Sequence, residues 1–492
     1  MEDYKLYAED ENYLLFQGKM QDVIDNCLEE NSIDCIITDP PYGLTSISDR
    51  YGKEGSAPAQ YGTDGAFKRL TKGFMGQTWD GSGVEYDVET WKRCLKVLKP
   101  GGYLLAFAGS RTMFRIGNAI EEAGFEIRDT IMWLYGSAMP KATDIGLMID
   151  KRNGVKSKIV GYEQGTMPDF RDVGKKQKEL GGQDKLTFGQ VKNSERKEQP
   201  IYEAQNEWAG WKSSLKPMFE PIIMARKPFK GSLTDNVLEN GVGALNIEEC
   251  RIGDEVINVH NAPKGTFAGG ERDRGSDTNS YRDHSGRYPG NVIHDGSEEA
   301  TQFMPNTKGG DTDKLGEYGY TFGKERDSKP MAQGYNDEGS AARYFYTPKA
   351  STKDRDEGLE EFEKINIYTD GESNWGYGNT EDDNFGDRIA NVKRANIHPT
   401  VKPTDLMQYL IRLVAPPNAV ILDPFMGSGS TGKAAMFENR EKNKNYTFVG
   451  IEMTEQYLPI CKARIDYAKY KYEYDQVKEK QELAKSGQNT LF

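Results

Sequence analysis

The hydrophobic positions of this 492-residue chain fall into two regularly patterned stretches, parted by a long stretch with little sustained period. In the first, Ser32-Ile33-Asp34-Cys35-Ile36-Ile37-Thr38 is a short β-branched run closed by Asp39-Pro40-Pro41, which predicts a buried strand. Residues 88–99 place Val88, Trp91, Leu95 and Leu98 at helical spacing and run into Pro100-Gly101-Gly102, so a helix is predicted to stop there, with a strand over 103–108. Residues 112–123 predict a further helix, with Gly124 just past its end, where a left-handed residue is favoured. Strands alternating with helices predict a parallel sheet covered by helices.

The period lapses over residues 140–395, which are rich in Gly, Asp, Asn, Ser and charge. Residues 265–287 and 354–388 there predict no fixed core. Residues 215–228 interrupt this as an ordered patch holding the strand-like Ile222-Ile223-Met224-Ala225. Regular patterning resumes near His398. Residues 405–414 predict an amphipathic helix (Leu406, Tyr409, Leu410, Leu413) with Thr404 as its N-cap. Val420-Ile421-Leu422 predicts a strand, a helix follows from Lys433, and a strand over 447–451 ends at Glu452. A charged helix is expected from Thr454 to about Lys485. One α/β domain is therefore expected in two pieces, 1–140 and 396–470. Between them lies an insert over 141–395 that includes the acidic segment 354–388, and a charged helix and tail over 471–492 closes the chain.

Composition narrows the class. Hydrophobic residues make up 36%, and no run of about 18 apolar residues occurs, so no membrane span is expected. The acidic start Met1-Glu2-Asp3 has no apolar stretch behind a basic segment, which speaks against a secretory signal and for a cytoplasmic protein. The five cysteines are scattered without a CxxC pair and the four histidines lie away from them, so neither a disulfide framework nor a metal site is expected. The net charge of −13 conceals a split: residues 151–230 hold 17 Lys/Arg against 10 Asp/Glu, and residues 354–388 hold 12 Asp/Glu against 3 Lys/Arg. Attraction to phosphate follows the local field, so the acidic total does not exclude a nucleic acid. The plain reading of either run is a solvated face.

Two loops carry the candidate chemistry. Asp423-Pro424-Phe425-Met426-Gly427-Ser428-Gly429-Ser430-Thr431-Gly432 lies between a strand and a helix, where backbone N–H groups at a helix N-terminus meet a ligand. Glu452, at the end of the next strand, is placed to accept hydrogen bonds from both hydroxyls of a ribose. Three templates fit the loop: a dinucleotide fingerprint (Gly427-x-Gly429-x-x-Gly432), a P-loop, or a methyltransferase loop. Ala434 weakens the P-loop, because it stands where the Mg²⁺-binding Ser/Thr belongs. A glycine turn that binds nothing is the plain alternative.

Asp39-Pro40-Pro41-Tyr42 discriminates among these. The lone pair of an exocyclic base amine is delocalised into the ring, so the amine is a poor nucleophile. A carboxylate and a backbone carbonyl that accept its two N–H bonds localise the pair. Two prolines stiffen such a loop and free its carbonyls, and Tyr42 offers a face for an extruded base. A rigid turn after a strand is the plain alternative. Both loops follow strands of one parallel sheet, so both are expected at its carboxyl edge.

Asp39-Pro40-Pro41-Tyr42 resembles the catalytic motif of the β-class DNA amino-methyltransferases, site-specific enzymes of bacteria and phages that often act in restriction–modification. Asp423-Pro424-Phe425-Met426-Gly427-Ser428-Gly429-Ser430 is similar to their cofactor loop, and His398-Pro399-Thr400-Val401-Lys402-Pro403 to the segment that completes their methionine pocket. The resemblance covers roughly 5–140 and 396–470, with the catalytic motif ahead of the cofactor loop. It implies a seven-stranded, mostly parallel Rossmann-like sheet with S-adenosylmethionine as donor, and methyl transfer to a flipped base in double-stranded DNA. Asp39 and Pro40 would hold the amine, in the Pro41-stiffened loop, and Tyr42 would stack on the base. Asp423, Phe425, Gly427, Ser428, Gly429 and Ser430 would surround the donor, Glu452 its ribose, and Thr400 and Lys402 its carboxylate. An Asp-first tetrapeptide is the habit of N6-adenine enzymes, and N4-cytosine enzymes more often have Ser. One departure is Gly18-Lys19, where many relatives have Gly-Asp. That acid contacts the donor's adenine, leaving Gln17 or Asp22 to substitute.

Target recognition is expected in the insert, where Tyr162, Phe170, Phe188, Tyr202, Trp208 and Trp211 are interleaved with basic residues. The family further implies a homodimer. The terminal Gln488-Asn489-Thr490-Leu491-Phe492 resembles the peptide by which bacterial proteins dock on a sliding clamp. Other acceptors, RNA or a protein glutamine, fit the same motifs. An oxidoreductase or ATPase built on the Gly427–Gly432 loop would leave Asp39-Pro40-Pro41-Tyr42 without a task.

Overall fold

The computed structural model describes residues 4–43, 82–136, 142–164, 198–259, 282–302, 304–308, 338–348, 354–369 and 390–485. Residues 265–281 and 370–388 of the segments expected to lack a core, and the terminal Gln488-Asn489-Thr490-Leu491-Phe492, lie outside the described residues, as do Phe170 and Phe188.

Nine strands of the described residues form one sheet. In chain order they are β1 (Tyr4–Asp10), β2 (Tyr13–Gly18), β3 (Ile33–Thr38), β4 (Leu98–Phe107), β5 (Glu126–Leu134), β6 (Phe219–Arg226), β7 (Val292–His294), β8 (Val420–Asp423) and β9 (Thr447–Glu452). Their spatial order is β1-β2-β9-β8-β3-β4-β6-β5-β7. The pairs from β2 to β4 are all parallel, whereas β6 runs antiparallel to both β4 and β5. The expected seven strands are the span from β2 to β5. β1 extends it antiparallel at one edge and β7 parallel at the other.

All six residues of β3 are buried, as a strand covered on both faces requires. Cys35 and Ile37 face one apolar layer and Ile33 and Ile36 the other. The first layer is built on Leu406, Leu410 and Ile411 of a helix over Thr404–Val414, Met436 and Phe437 of a helix over Ser430–Lys442, and Ile465 of a helix over Leu458–Lys485 that kinks at Tyr470. The second is built on Val23 and Ile24 of helix Met20–Cys27, Trp91 and Val97 of helix Val88–Val97, and Ile116 and Ile120 of helix Met113–Glu122. Each such side chain taken from water contributes roughly 1.5–3 kcal/mol.

Three expectations are corrected. Pro100-Gly101-Gly102 does not end a helix: the helix stops at Val97 and β4 runs through all three residues, its backbone exchanging hydrogen bonds with Lys227 beyond β6. Thr404 is not an N-cap but the first residue of its helix, and the Asp354 carboxylate accepts both its N–H (2.6 Å) and its hydroxyl (2.5 Å). Nor is 141–395 one insert, since β6 lies inside the central sheet, with an apolar run buried on both faces.

By contact density the chain divides into two units, residues 1–137, 218–365 and 393–492, and residues 138–217 with 366–392. The second contains helix Ile145–Arg152 and the paired strands Lys158–Gln164 and Glu198–Glu203. Buried Asp150 ties it together, accepting bonds from Gln205 N (2.8 Å), Asn206 Nδ2 (2.7 Å) and the Ser157 hydroxyl (3.0 Å). Among the described residues no helix is long and apolar enough to cross a membrane.

Candidate active site

Strand order turns at β8 and β3: from β8 the chain builds outward through β9, and from β3 outward through β4. Loops at the carboxyl ends of such a pair diverge to opposite faces and leave a crevice. The Asp39 loop leaves β3 and the glycine loop leaves β8, so residues almost four hundred positions apart become neighbours. Thr38 on β3 donates to Asp423 Oδ1 on β8 at 2.7 Å, and the Thr431 hydroxyl donates to Asp423 Oδ2 at 2.6 Å and to the Ile37 carbonyl at 3.4 Å.

Pro40 and Pro41 are buried, and the Tyr86 hydroxyl holds the loop by donating to the Tyr42 carbonyl at 2.9 Å. Gly43 turns the chain with φ +57°, and a Cβ there would fall 2.1 Å from Glu85 Oε1. The Asp39 carboxylate faces a cluster of three more polar side chains. Lys402 Nζ donates to Asp39 Oδ2 at 2.6 Å and pairs with Glu220 Oε2 at 3.2 Å. The Tyr42 hydroxyl lies 2.9 Å from Asp39 Oδ1 and 3.0 Å from Glu220 Oε2, and Lys402 Nζ donates to it at 3.1 Å. Burial works against the charge on Lys402, but the two carboxylates outweigh it and hold its pKa up at about 12. Burial, and then the same carboxylates, push the Tyr42 hydroxyl well above its ordinary value.

Lys402, expected at the donor's carboxylate, lies in the Asp39 cluster as its cation. Thr400 turns its carbonyl toward His398 Nδ1, which donates to it. That bond puts the proton of the neutral ring on Nδ1, and burial lowers the ring's pKa to about 4. His398 Nε2 would lie 2.9 Å from a Cβ on Gly427.

In the glycine loop, Gly427 (φ +56°) and Gly429 (φ +75°) are left-handed, and a Cβ on Gly429 would come within 3.1 Å of Cys461 Cα. Glu452, 8% exposed, accepts Gly427 N at 2.9 Å and Thr454 N at 2.7 Å. Burial raises its pKa to about 7 and that of Asp423 to about 6. Asp423 also accepts Phe425 N at 3.2 Å, so its carboxylate is committed to joining β3 to the loop. Phe425 packs against the second apolar layer. Ser428 and Ser430 both accept from Arg464 Nη1, at 3.0 and 3.2 Å.

Lys433, which completes the P-loop pattern, is fully buried and ion-paired with Asp354 (2.6 Å) and Glu357 (2.9 Å). Its ammonium is thus committed to two carboxylates, which speaks against the ATPase alternative. The same pairs correct the expectation for residues 354–388, whose first part is ordered by them. Sequence reasoning missed Glu220 and Arg464. Glu220 does leave a signal, a single acid ahead of the buried run Pro221-Ile222-Ile223-Met224.

A model of the DNA methylase family matches residues 33–463. The Type II methyltransferase M.HindIII of Haemophilus influenzae is 28% identical over 238 residues, 44% of this chain and 60% of that protein. The Type II methyltransferase M2.LlaDCHI of Lactococcus lactis subsp. cremoris is 39% identical over 74 residues, 15% of this chain and 25% of that one. The chain thus spans less than two thirds of the length of either relative. Among solved structures, the PvuII DNA methyltransferase (cytosine-N4-specific) is 12% identical, covering 94% of this chain and 90% of its own, with a TM-score of 0.37. The M1.HpyAVI–SAM complex is 14% identical, covering 92% and 99%, with a TM-score of 0.31.

Proposed function

The chain belongs to the DNA methylase family, and from that premise we propose that it moves a methyl group from S-adenosylmethionine to the exocyclic amine of a base turned out of duplex DNA. The base we assign is adenine, at N6, on the Asp-first form of Asp39-Pro40-Pro41-Tyr42. The observation that carries the reading is the meeting of the Asp39 loop and the glycine loop at the carboxyl ends of neighbouring parallel strands.

The residues present fit an adenosyl group. Gln17 and Glu452 are register partners on β2 and β9, on the same face of the sheet by strand parity. Among the described residues Gln17 Oε1 is buried with no hydrogen-bond partner, an acceptor that the adenine amine of the donor would satisfy in place of the family's acid. Glu452 would take the ribose hydroxyls, and left-handed Gly427 and Gly429 let the backbone come close. When bound, the donor supplies a methyl group on a sulfonium, already activated toward attack. The protein's part is to hold the amine. Asp39 accepts one N–H and the Pro40 carbonyl the other, which returns the lone pair to nitrogen, while the Tyr42 ring covers the base. Residues 138–217 would read the DNA, taken up by one chain or by a homodimer.

The test incubates the protein with methyl-labelled donor and unmodified duplex DNA, then digests the product to nucleosides for mass spectrometry. N6-methyl-2′-deoxyadenosine is expected. N4-methylcytosine would overturn the base assignment, and label that resists DNase would overturn the acceptor. Asp39→Ala should lower transfer roughly 100-fold or more while leaving donor binding intact, and full activity in that variant would remove Asp39 from the chemistry.

A further inference from the structure

On the reading of Asp39 as the amine's acceptor, that carboxylate has two claimants. Lys402 Nζ occupies Oδ2 at 2.6 Å, and the Tyr42 hydroxyl lies 2.9 Å from Oδ1. Each oxygen of Asp39 already accepts one of these donors, so an incoming amine competes with them for the carboxylate. Lys402 has only 8% of its side chain exposed, and stranding a buried ammonium without a carboxylate is strongly unfavourable. Both donors already reach a second carboxylate without moving far: Glu220 Oε2 lies 3.2 Å from Lys402 Nζ and 3.0 Å from the Tyr42 oxygen. A structural ion pair for Lys402 needs one acid, and this site has two.

We propose that Glu220 is a positioning residue that receives Lys402 and the Tyr42 hydroxyl when the target amine takes their place on Asp39. No bond is made or broken in this exchange. Two carboxylates and one ammonium give the cluster a net charge of −1 before and after, so no proton has to enter or leave the site. Tyr135 faces the cluster from just beyond β5, its hydroxyl held up to about 12 by burial and then by Glu220, so it stays neutral. Glu220 keeps its place because β6 is clamped between β4 and β5, with Trp133 as its register partner. The device would also favour a correct target: an intruder that cannot donate to Asp39 gives Lys402 no reason to leave.

Two measurements test this. The first is a cycle of unfolding midpoints on the full chain without ligand, for Asp39→Asn, Glu220→Gln and the pair. Each single variant still offers Lys402 one carboxylate and should unfold near the wild type, whereas the double should lose more than the sum of the singles. Additive losses would overturn the second seat. The second is single-turnover methyl transfer to DNA. Glu220→Gln should slow it about tenfold with unchanged affinity for 5′-deoxy-5′-methylthioadenosine, and Glu220→Asp should recover most of the rate. A wild-type rate in Glu220→Gln, or a parallel loss of that affinity, would overturn the hand-over. If the wild type transfers no methyl to DNA, the amine reading fails and the hand-over fails with it. An additive cycle in an active protein sinks the hand-over alone.

Discussion

Burial gives Glu452 an affinity for protons that a surface acid lacks. Its two backbone bonds, from Thr454 and Gly427, only partly offset the desolvation, and its pKa stands at about 7 against an ordinary 4.5. A ribose donates to the ionised carboxylate, so the liganded protein holds fewer protons than the free one, and affinity must rise with pH. Below about pH 7 binding must first expel the proton, which weakens it up to about tenfold per pH unit. The suitable probe is 5′-deoxy-5′-methylthioadenosine, which has the adenosyl part but no amino-acid groups to titrate. Its affinity by calorimetry should be about tenfold weaker at pH 6 than at pH 8, and Glu452→Gln should bind weakly with a flat profile. A flat profile in the wild type would remove Glu452 from the ribose. Stability runs the opposite way: with a raised pKa, the contribution of Glu452 is full below the unfolded value and is lost as pH rises through about 7.

At the scale of elements, the glycine loop stands on a charged support that its own sequence does not announce. Arg464, from the helix over Leu458–Lys485, donates to the Ser428 carbonyl (2.7 Å) and to the Asp354 carbonyl (3.3 Å), and Lys433 binds Asp354 and Glu357 from the helix over Ser430–Lys442. Two helices and residues 354–357 are thereby joined under the loop. Lys433→Met would leave Asp354 its two bonds from Thr404 but only the more distant Arg464 (3.8 Å) as a cation, at a cost of roughly 3 kcal/mol. That loss should appear as a lower urea midpoint at pH 7. A Lys433→Met variant as stable as the wild type would show that the ion pairs merely break even. The strands and helices around this support were legible because their periods are local: β3, β8 and β9 end within a residue of where their apolar runs end. Asp354 and Glu357 were not legible. They sit in an acidic, glycine-bearing stretch that reads as solvated, and only partners 79 and 76 residues away reverse that.

For the whole molecule, the same contrast separates what a motif can announce from what pairing decides. Asp39 and Glu452 stand out as candidates because each closes a buried strand, a position sequence can mark. Glu220 comes to Tyr42 across 178 residues through the antiparallel seat of β6, and no local pattern encodes which strands that segment will join. By contact density 218–365 belongs with the sheet and 138–217 does not, a division of the expected insert that no local pattern marks. That smaller unit is where DNA contact is best tested. It presents exposed Lys151, Arg152, Lys156 and Lys158, together with Tyr162 (61% exposed) and Trp211 (60%). Each cation that neutralises a phosphate adds about 0.9 to the slope of log affinity against log salt. Changing the four basic residues to glutamine should therefore weaken duplex binding at low salt and flatten that slope by up to about 3.6. Affinity for 5′-deoxy-5′-methylthioadenosine should stay unchanged, because its proposed contacts lie in the other unit. An unaltered slope would place the DNA elsewhere on the protein. A smaller slope with wild-type affinity at low salt would mean that these residues meet phosphates that other groups can hold.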